Sequence, residues 1–164
     1  MLGGMSEDAR SPARYASEID DARERLVAFA DGCTDEQWKA APLDGDSRPV
    51  GVVVDHVAHA YEYLAGWMRQ ILDGQSVTVD GGVVDALNAE HAARAADVTQ
   101  AEAAEHLRRS GAAISQLVAG CSAEDLQADG GRVERLVQIA IRHADGHRAE
   151  IEAGLAAGSG PGPG

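Results

Sequence analysis

Residues 50–72 read VGVVVDHVAHAYEYLAGWMRQIL. Val53, Val57, Tyr61, Leu64, Met68, Ile71 and Leu72 return at helical spacing, so one apolar stripe runs along a helix of roughly twenty residues. Asp73 and Gly74 supply its stop. Upstream, Tyr15, Ile19, Ala22, Leu26 and Phe29 recur at alternating steps of four and three, which predicts a helix from Ser11-Pro12 to Gly32. Thr34 with Gln37 reads as a capping box opening a short turn around Trp38, followed by the loop APLDGDSRP. Downstream, GQSVTVDGG is too short and too flanked by glycine to be more than an extended loop. The segment from Val83 to Ala96 reads as a helix whose periodicity is diluted by alanine. Thr99 with Glu102 opens a further helix through Leu107, Ile114, Leu117 and Val118, with Gly120 as its C′ residue. The last helix runs from about Arg132 to Leu155. Four main amphipathic helices joined by uneven loops predict an all-α four-helix bundle with short extra helices in the loops.

The chain of 164 residues suits one domain, with 45% hydrophobic residues to fill its core but only 4% aromatics. An interior of Ala, Val, Leu and Ile suits close-packed helices and argues against an all-β sandwich. The domain is expected over residues 13–156. Residues 1–12 and 157–164 read as disordered tails, because they combine Gly, Pro, Ser and charge without apolar periodicity. Fourteen Lys and Arg against 27 Asp and Glu leave a formal charge of −13. Such a surface repels phosphodiester backbones and anionic headgroups, so neither nucleic acid nor membrane is an expected partner. No long apolar run and no signal pattern is visible, which makes the cytoplasm the expected location. Cys33 and Cys121 fit no metal or disulfide spacing and read as small packed thiols.

Six histidines in an acidic helical chain call for a test of where each one faces. At about 100° per residue, Leu136, Ala140, His143 and His147 fall within roughly 60° of one another. Both imidazoles of this HxxxH pair therefore face the core side, one turn apart, the spacing by which one helix offers two nitrogens to one ion. On the second main helix His56 lies about 120° from the centre of the apolar stripe, at the border between core and solvent, where a ligand at the bundle mouth belongs. His59 lies about 180° away and is expected to face water with Asp55 and Glu62. His91 and His106 have no partner at ligand spacing and read as exposed. His56, His143 and His147 together would leave a divalent ion with open positions, as in a catalytic site.

The first helix, the turn TDEQW, the stretch VGVVVDHVAHAYEYL and the late HADGHRAEI together resemble the DinB-like, or YfiT-like, four-helix metalloprotein superfamily. The resemblance spans about Arg14 to Leu155. It implies a divalent metal held by one histidine early in the second main helix and by a pair on the last, which by position are His56, His143 and His147. The resemblance also implies an enzyme using a low-molecular-weight thiol, of the mycothiol or bacillithiol kind, for S-transfer to an electrophilic substrate, and a homodimer. Mycothiol is the expected thiol, because the Ala-, Gly-, Asp- and Arg-heavy composition looks like that of a high-GC actinobacterial protein. One departure stands out, because Arg48-Pro49 occupies the place where many members have Trp-Ser, so the entrance to the site is expected to differ.

Three imidazoles suit zinc first, with nickel or iron also compatible. Coordination to a dication favours thiolate over thiol. Arg142 and Arg148 are candidates to hold an acidic substrate, with surface ion pairing as their alternative role. Trp38, Tyr61, Tyr63 and Trp67 are expected to wall the pocket near His56. Two alternatives remain open from the residues: a metal-dependent hydrolase on the same fold, and a noncatalytic bundle that binds a small ligand or a protein.

Overall fold

Most of the helices start at a capping side chain; the helix that follows Pro49 has none. Ser11 Oγ accepts from the Arg14 amide at 3.1 Å, with Pro12 in the first turn behind it. Thr34–Gln37 and Thr99–Glu102 both close as reciprocal capping boxes, and Ser122–Asp125 forms a third. The computed structural model describes residues 11–158; residues 1–10 and 159–164, which make up most of the two expected tails, lie outside them. The described residues form α1 Pro12–Gly32, α2 Asp35–Lys39, α3 Val50–Leu72, α4 Gly81–Arg94, α5 Gln100–Ala119, α6 Ala123–Leu126 and α7 Ala128–Gly158, with no strand among them.

Two ends differ from expectation. Gly120 is the C-cap of α5 at φ −81°, a right-handed conformation, so the left-handed C′ role expected of it is not used. The opening turn of α7 is broken by Asp129, Gly130 and Gly131 at φ 51°, 64° and 77°. Two consecutive glycines tolerate this left-handed turn, and the regular helix then begins where Arg132 was expected to start it.

The long helices α1, α3, α5 and α7 make the bundle. In the ring around the core α1 lies beside α5 and α7, and α3 lies beside the same two. Helices α1 and α3, successive in the chain, thus sit on a diagonal. Side-chain bonds give the directions. Ser115 Oγ donates to the Ala16 carbonyl, and the Gln100 amide to those of Ala30 and Cys33, which makes α1 and α5 antiparallel. Arg132 bonds the Val77 carbonyl just past the end of α3 and His143 meets His56 near its start, which makes α3 and α7 antiparallel. Ile19, Leu26, Val53, Val57, Met68, Leu107, Ile114, Val137 and Ile151 are sealed in the core. Each such side chain contributes roughly 1.5–3 kcal/mol of burial energy.

Helix α3 is enclosed more fully than one apolar stripe implies, since every residue from Val50 to Ala58 is buried. Helix α4 is the opposite: of its fourteen residues only His91 is buried. Among the described residues no helix is long and apolar enough to cross a membrane.

Candidate metal centre

His56 in the second turn of α3 meets His143 and His147 of α7, and the three offer one ligand atom each, all within 4.8 Å of one another. The Nε2 atoms of His56 and His143 face each other at 2.9 Å. Ring centroids of His56 lie 4.9 Å from His143 and 5.4 Å from His147. An ion with metal–nitrogen bonds of about 2.0–2.1 Å sets its nitrogens roughly 3–3.5 Å apart, so this convergence fits a divalent cation.

The donors also have the right charge state. Burial, helped by the neighbouring His143 and His147, lowers the pKa of His56 to about 2. Burial and then His147 lower His143 to about 4, and burial lowers His147 as well. All three are therefore neutral at pH 7, the form that ligates. His56 Nδ1 is buried with no hydrogen-bond partner. His147 Nδ1 lies 3.4 Å from Glu150 Oε2, an ion-pair distance that falls short of hydrogen-bond geometry. A carboxylate on the far nitrogen is the usual means of orienting a ligating ring.

The loop from Ala40 to Pro49 closes this end of the bundle. The Val50 amide donates to the Ala40 carbonyl at 2.8 Å, and Pro42 packs so closely on α7 that a Cβ at Gly154 would lie 2.5 Å from its carbonyl oxygen. The loop carries Arg48, whose Nε and Nη2 donate to the two oxygens of Asp46 at 2.7–3.0 Å, while the Arg48 amide donates to Oδ1. The charge of Arg48 is among those that push His56, His143 and His147 down. The two arginines singled out in the sequence are placed differently. Arg148 is committed to Asp145 and Glu152, and Arg142 is exposed on a shallow groove of about 260 Å³ beside His143 and His147.

The expected facing of the other histidines is overturned. Asp55 is buried, and its Oδ2 accepts from His91 Nε2 at 2.7 Å while its Oδ1 accepts from His106 Nδ1 at 2.8 Å. His106 Nε2 donates onward to Glu62 at 2.9 Å, so both of its nitrogens serve carboxylates. The hydrogen bond to Asp55 raises the pKa of His106. Burial would push the Asp55 carboxyl up, but the bonds from His106 and His91 outweigh it and hold it below the usual range. His59 stacks on His91 with centroids 5.0 Å apart instead of facing water. These groups line a cleft of about 880 Å³ between α3, the end of α4 and α5. The wheel failed because it treats α3 alone, whereas α4 and α5 cover its outer face. The signal was present in Val50–Val54, which is apolar on every side and marks a helix enclosed all round.

The expected aromatic wall is also absent from the ring contacts of His56, which are with His91, His143 and His147. Tyr63 packs on Trp67 and His59, and Trp38 Nε1 donates to the Val98 carbonyl.

An all-helical bundle with a three-histidine group between its second and fourth main helices defines a protein fit to hold a divalent metal. The family model described as the DinB superfamily matches residues 18–151, and the chain belongs to that superfamily. No curated protein and no solved structure matches the chain.

Proposed function

We propose that the protein is a divalent-metal-dependent enzyme in which a low-molecular-weight thiol of the mycothiol type is transferred to a small electrophile. The observation that carries the metal reading is the convergence of three neutral imidazoles from α3 and α7. When bound, the cation would lower the pKa of a coordinated thiol and favour the thiolate. His56, His143 and His147 would hold it as three neutral nitrogens, zinc being the first candidate and nickel or iron the next. Three protein ligands leave room for an external one, as catalytic sites require.

The chain's own thiols do not serve as the nucleophile in this reading. Cys33 and Cys121 are half-buried, and burial pushes both upward in pKa, away from thiolate. The sulfur therefore comes from a cosubstrate: it bonds to the electrophilic carbon, the leaving group departs with its electron pair, and the thiol proton passes to water. Resemblance to a superfamily that includes thiol-using enzymes is the ground for choosing this reading over hydrolysis. A cytoplasmic homodimer belongs to the same proposal.

The test is elemental analysis of protein purified without chelator, followed by thiol-consumption assays with mycothiol, bacillithiol and glutathione. Near-stoichiometric metal and consumption of mycothiol are expected. Absence of metal in the purified protein, with no rise in melting temperature on adding zinc, nickel, iron or manganese, would remove the basis of the proposal.

A further inference from the structure

The three rings of the metal centre are not supported alike. His147 has Glu150 near its Nδ1, at 3.4 Å, whereas the Nδ1 of His56 is buried with no hydrogen-bond partner. The Nε2 of His56 is the nitrogen that faces His143. A neutral imidazole that ligates through Nε2 carries its proton on Nδ1. Binding of a cation therefore makes the orphaned Nδ1 of His56 a buried donor in need of an acceptor.

His91 of α4 offers that acceptor. It is 3% exposed, and its ring centroid lies 5.9 Å from that of His56. Its Nε2 donates to Asp55 Oδ2 at 2.7 Å, because an ionised carboxylate can only accept. In the neutral ring the lone pair then falls on Nδ1, and this nitrogen too is buried with no partner. One ring thus supplies an N–H and its neighbour a lone pair, and neither nitrogen has another use. Asp55 and the His59 ring, stacked on His91 at 5.0 Å, hold the acceptor in place. Helix α4 is otherwise exposed or half-buried, and the one side chain it buries is this histidine.

We propose that His91 is a positioning residue of the metal centre, its Nδ1 accepting from His56 Nδ1–H directly or across one water. The resulting chain runs from Asp55 through His91 to His56 and draws a third helix, α4, into the site. Such a partner fixes the orientation of a ligating ring and raises its basicity. The assignment rests on the metal reading above and goes beyond its three ligands.

The test uses the full chain and zinc. Long-range proton–nitrogen NMR of the zinc-loaded, histidine-labelled protein should show His91 protonated on Nε2 alone. The Nδ1 proton of His56 should be visible and slow to exchange with water. His91→Phe keeps a ring in the same space but removes the acceptor, and should weaken zinc binding about tenfold to a hundredfold in chelator competition. His106→Gln breaks the other bond of the same carboxylate and should keep the wild-type affinity. A proton on His91 Nδ1 in the loaded wild type overturns the assignment, and this measurement decides the matter if His91→Phe does not fold. Unchanged affinity in His91→Phe, or equal loss in both variants, overturns it as well; each of these results leaves the metal reading standing. A wild type that binds no zinc, nickel, iron or manganese overturns the metal reading, and the assignment with it.

Discussion

The Nε2 atoms of His56 and His143 face one another at 2.9 Å across the interface of α3 and α7. At most one of the two can donate to the other, and the same approach suits two lone pairs turned toward one cation. Replacing His56, His143 or His147 by Ala is therefore expected to weaken zinc retention at least tenfold in each case, read by dialysis against a competing chelator. His59→Ala, whose ring stacks on His91 outside this group, should retain the metal. Equal loss in the His59 variant would contradict the assignment.

Acid should unfold the metal-free protein early. His56 at about 2 and His143 at about 4 lie below the ordinary 6.5 of the unfolded chain. Between those values the unfolded state binds more protons, so stability is full above about pH 6.5 and falls as pH drops toward 4. Each histidine held neutral costs about 1.4 kcal/mol per pH unit in that window. His106 acts in the opposite sense: its raised pKa contributes stability below about 6.5 that is lost as pH rises through its folded value. Denaturant unfolding at pH 7.5, 6 and 5 should show a steadily falling midpoint. A midpoint that rises on acidification would mean that His106 outweighs the three-histidine group.

Asp55 carries two hydrogen bonds from buried or half-buried rings, so Asp55→Ala leaves His91 Nε2 and His106 Nδ1 without their acceptor. A loss of about 3–5 kcal/mol is expected from breaking one side of such a buried network. His91→Ala removes the only buried side chain of α4. Hydrogen exchange should then show amides 81–94 losing protection while those of α1 and α5 keep theirs. Unchanged protection in α4 would show that other contacts hold it.

Three glycines allow close approach, and their alanine variants should rank by what the new methyl meets. At Gly51 it would lie 2.6 Å from the packed Trp38 ring, and at Gly154 2.5 Å from the Pro42 carbonyl oxygen. Neither neighbour can swing aside, so each change should cost about 1–3 kcal/mol, with a shift in tryptophan emission for Gly51→Ala. At Gly111 the methyl meets the flexible side chain of Arg23, which can move away, and thermal unfolding should show a smaller loss. A larger loss at Gly111 than at Gly154 would reverse this ranking.

The sequence by itself determined the helices and part of the site. Ser11, Thr34 and Thr99 cap through residues three positions away, and the apolar stripes repeat within single helices, so start, stop and inward face are local properties. The pairing of His143 with His147 is local in the same way, because residues four apart share a helix face. Tertiary structure alone decided what covers each face. Asp55 and His59 lie opposite the apolar stripe of α3, yet α4 and α5 enclose them, and burial belongs to the neighbour as much as to the residue. His91 and His106 are distant from Asp55 in the chain and meet it only once α4 and α5 are docked. The loop between α2 and α3 meets α7 for a similar reason: Pro42 packs against Gly154, 112 positions away, a contact that no periodicity encodes.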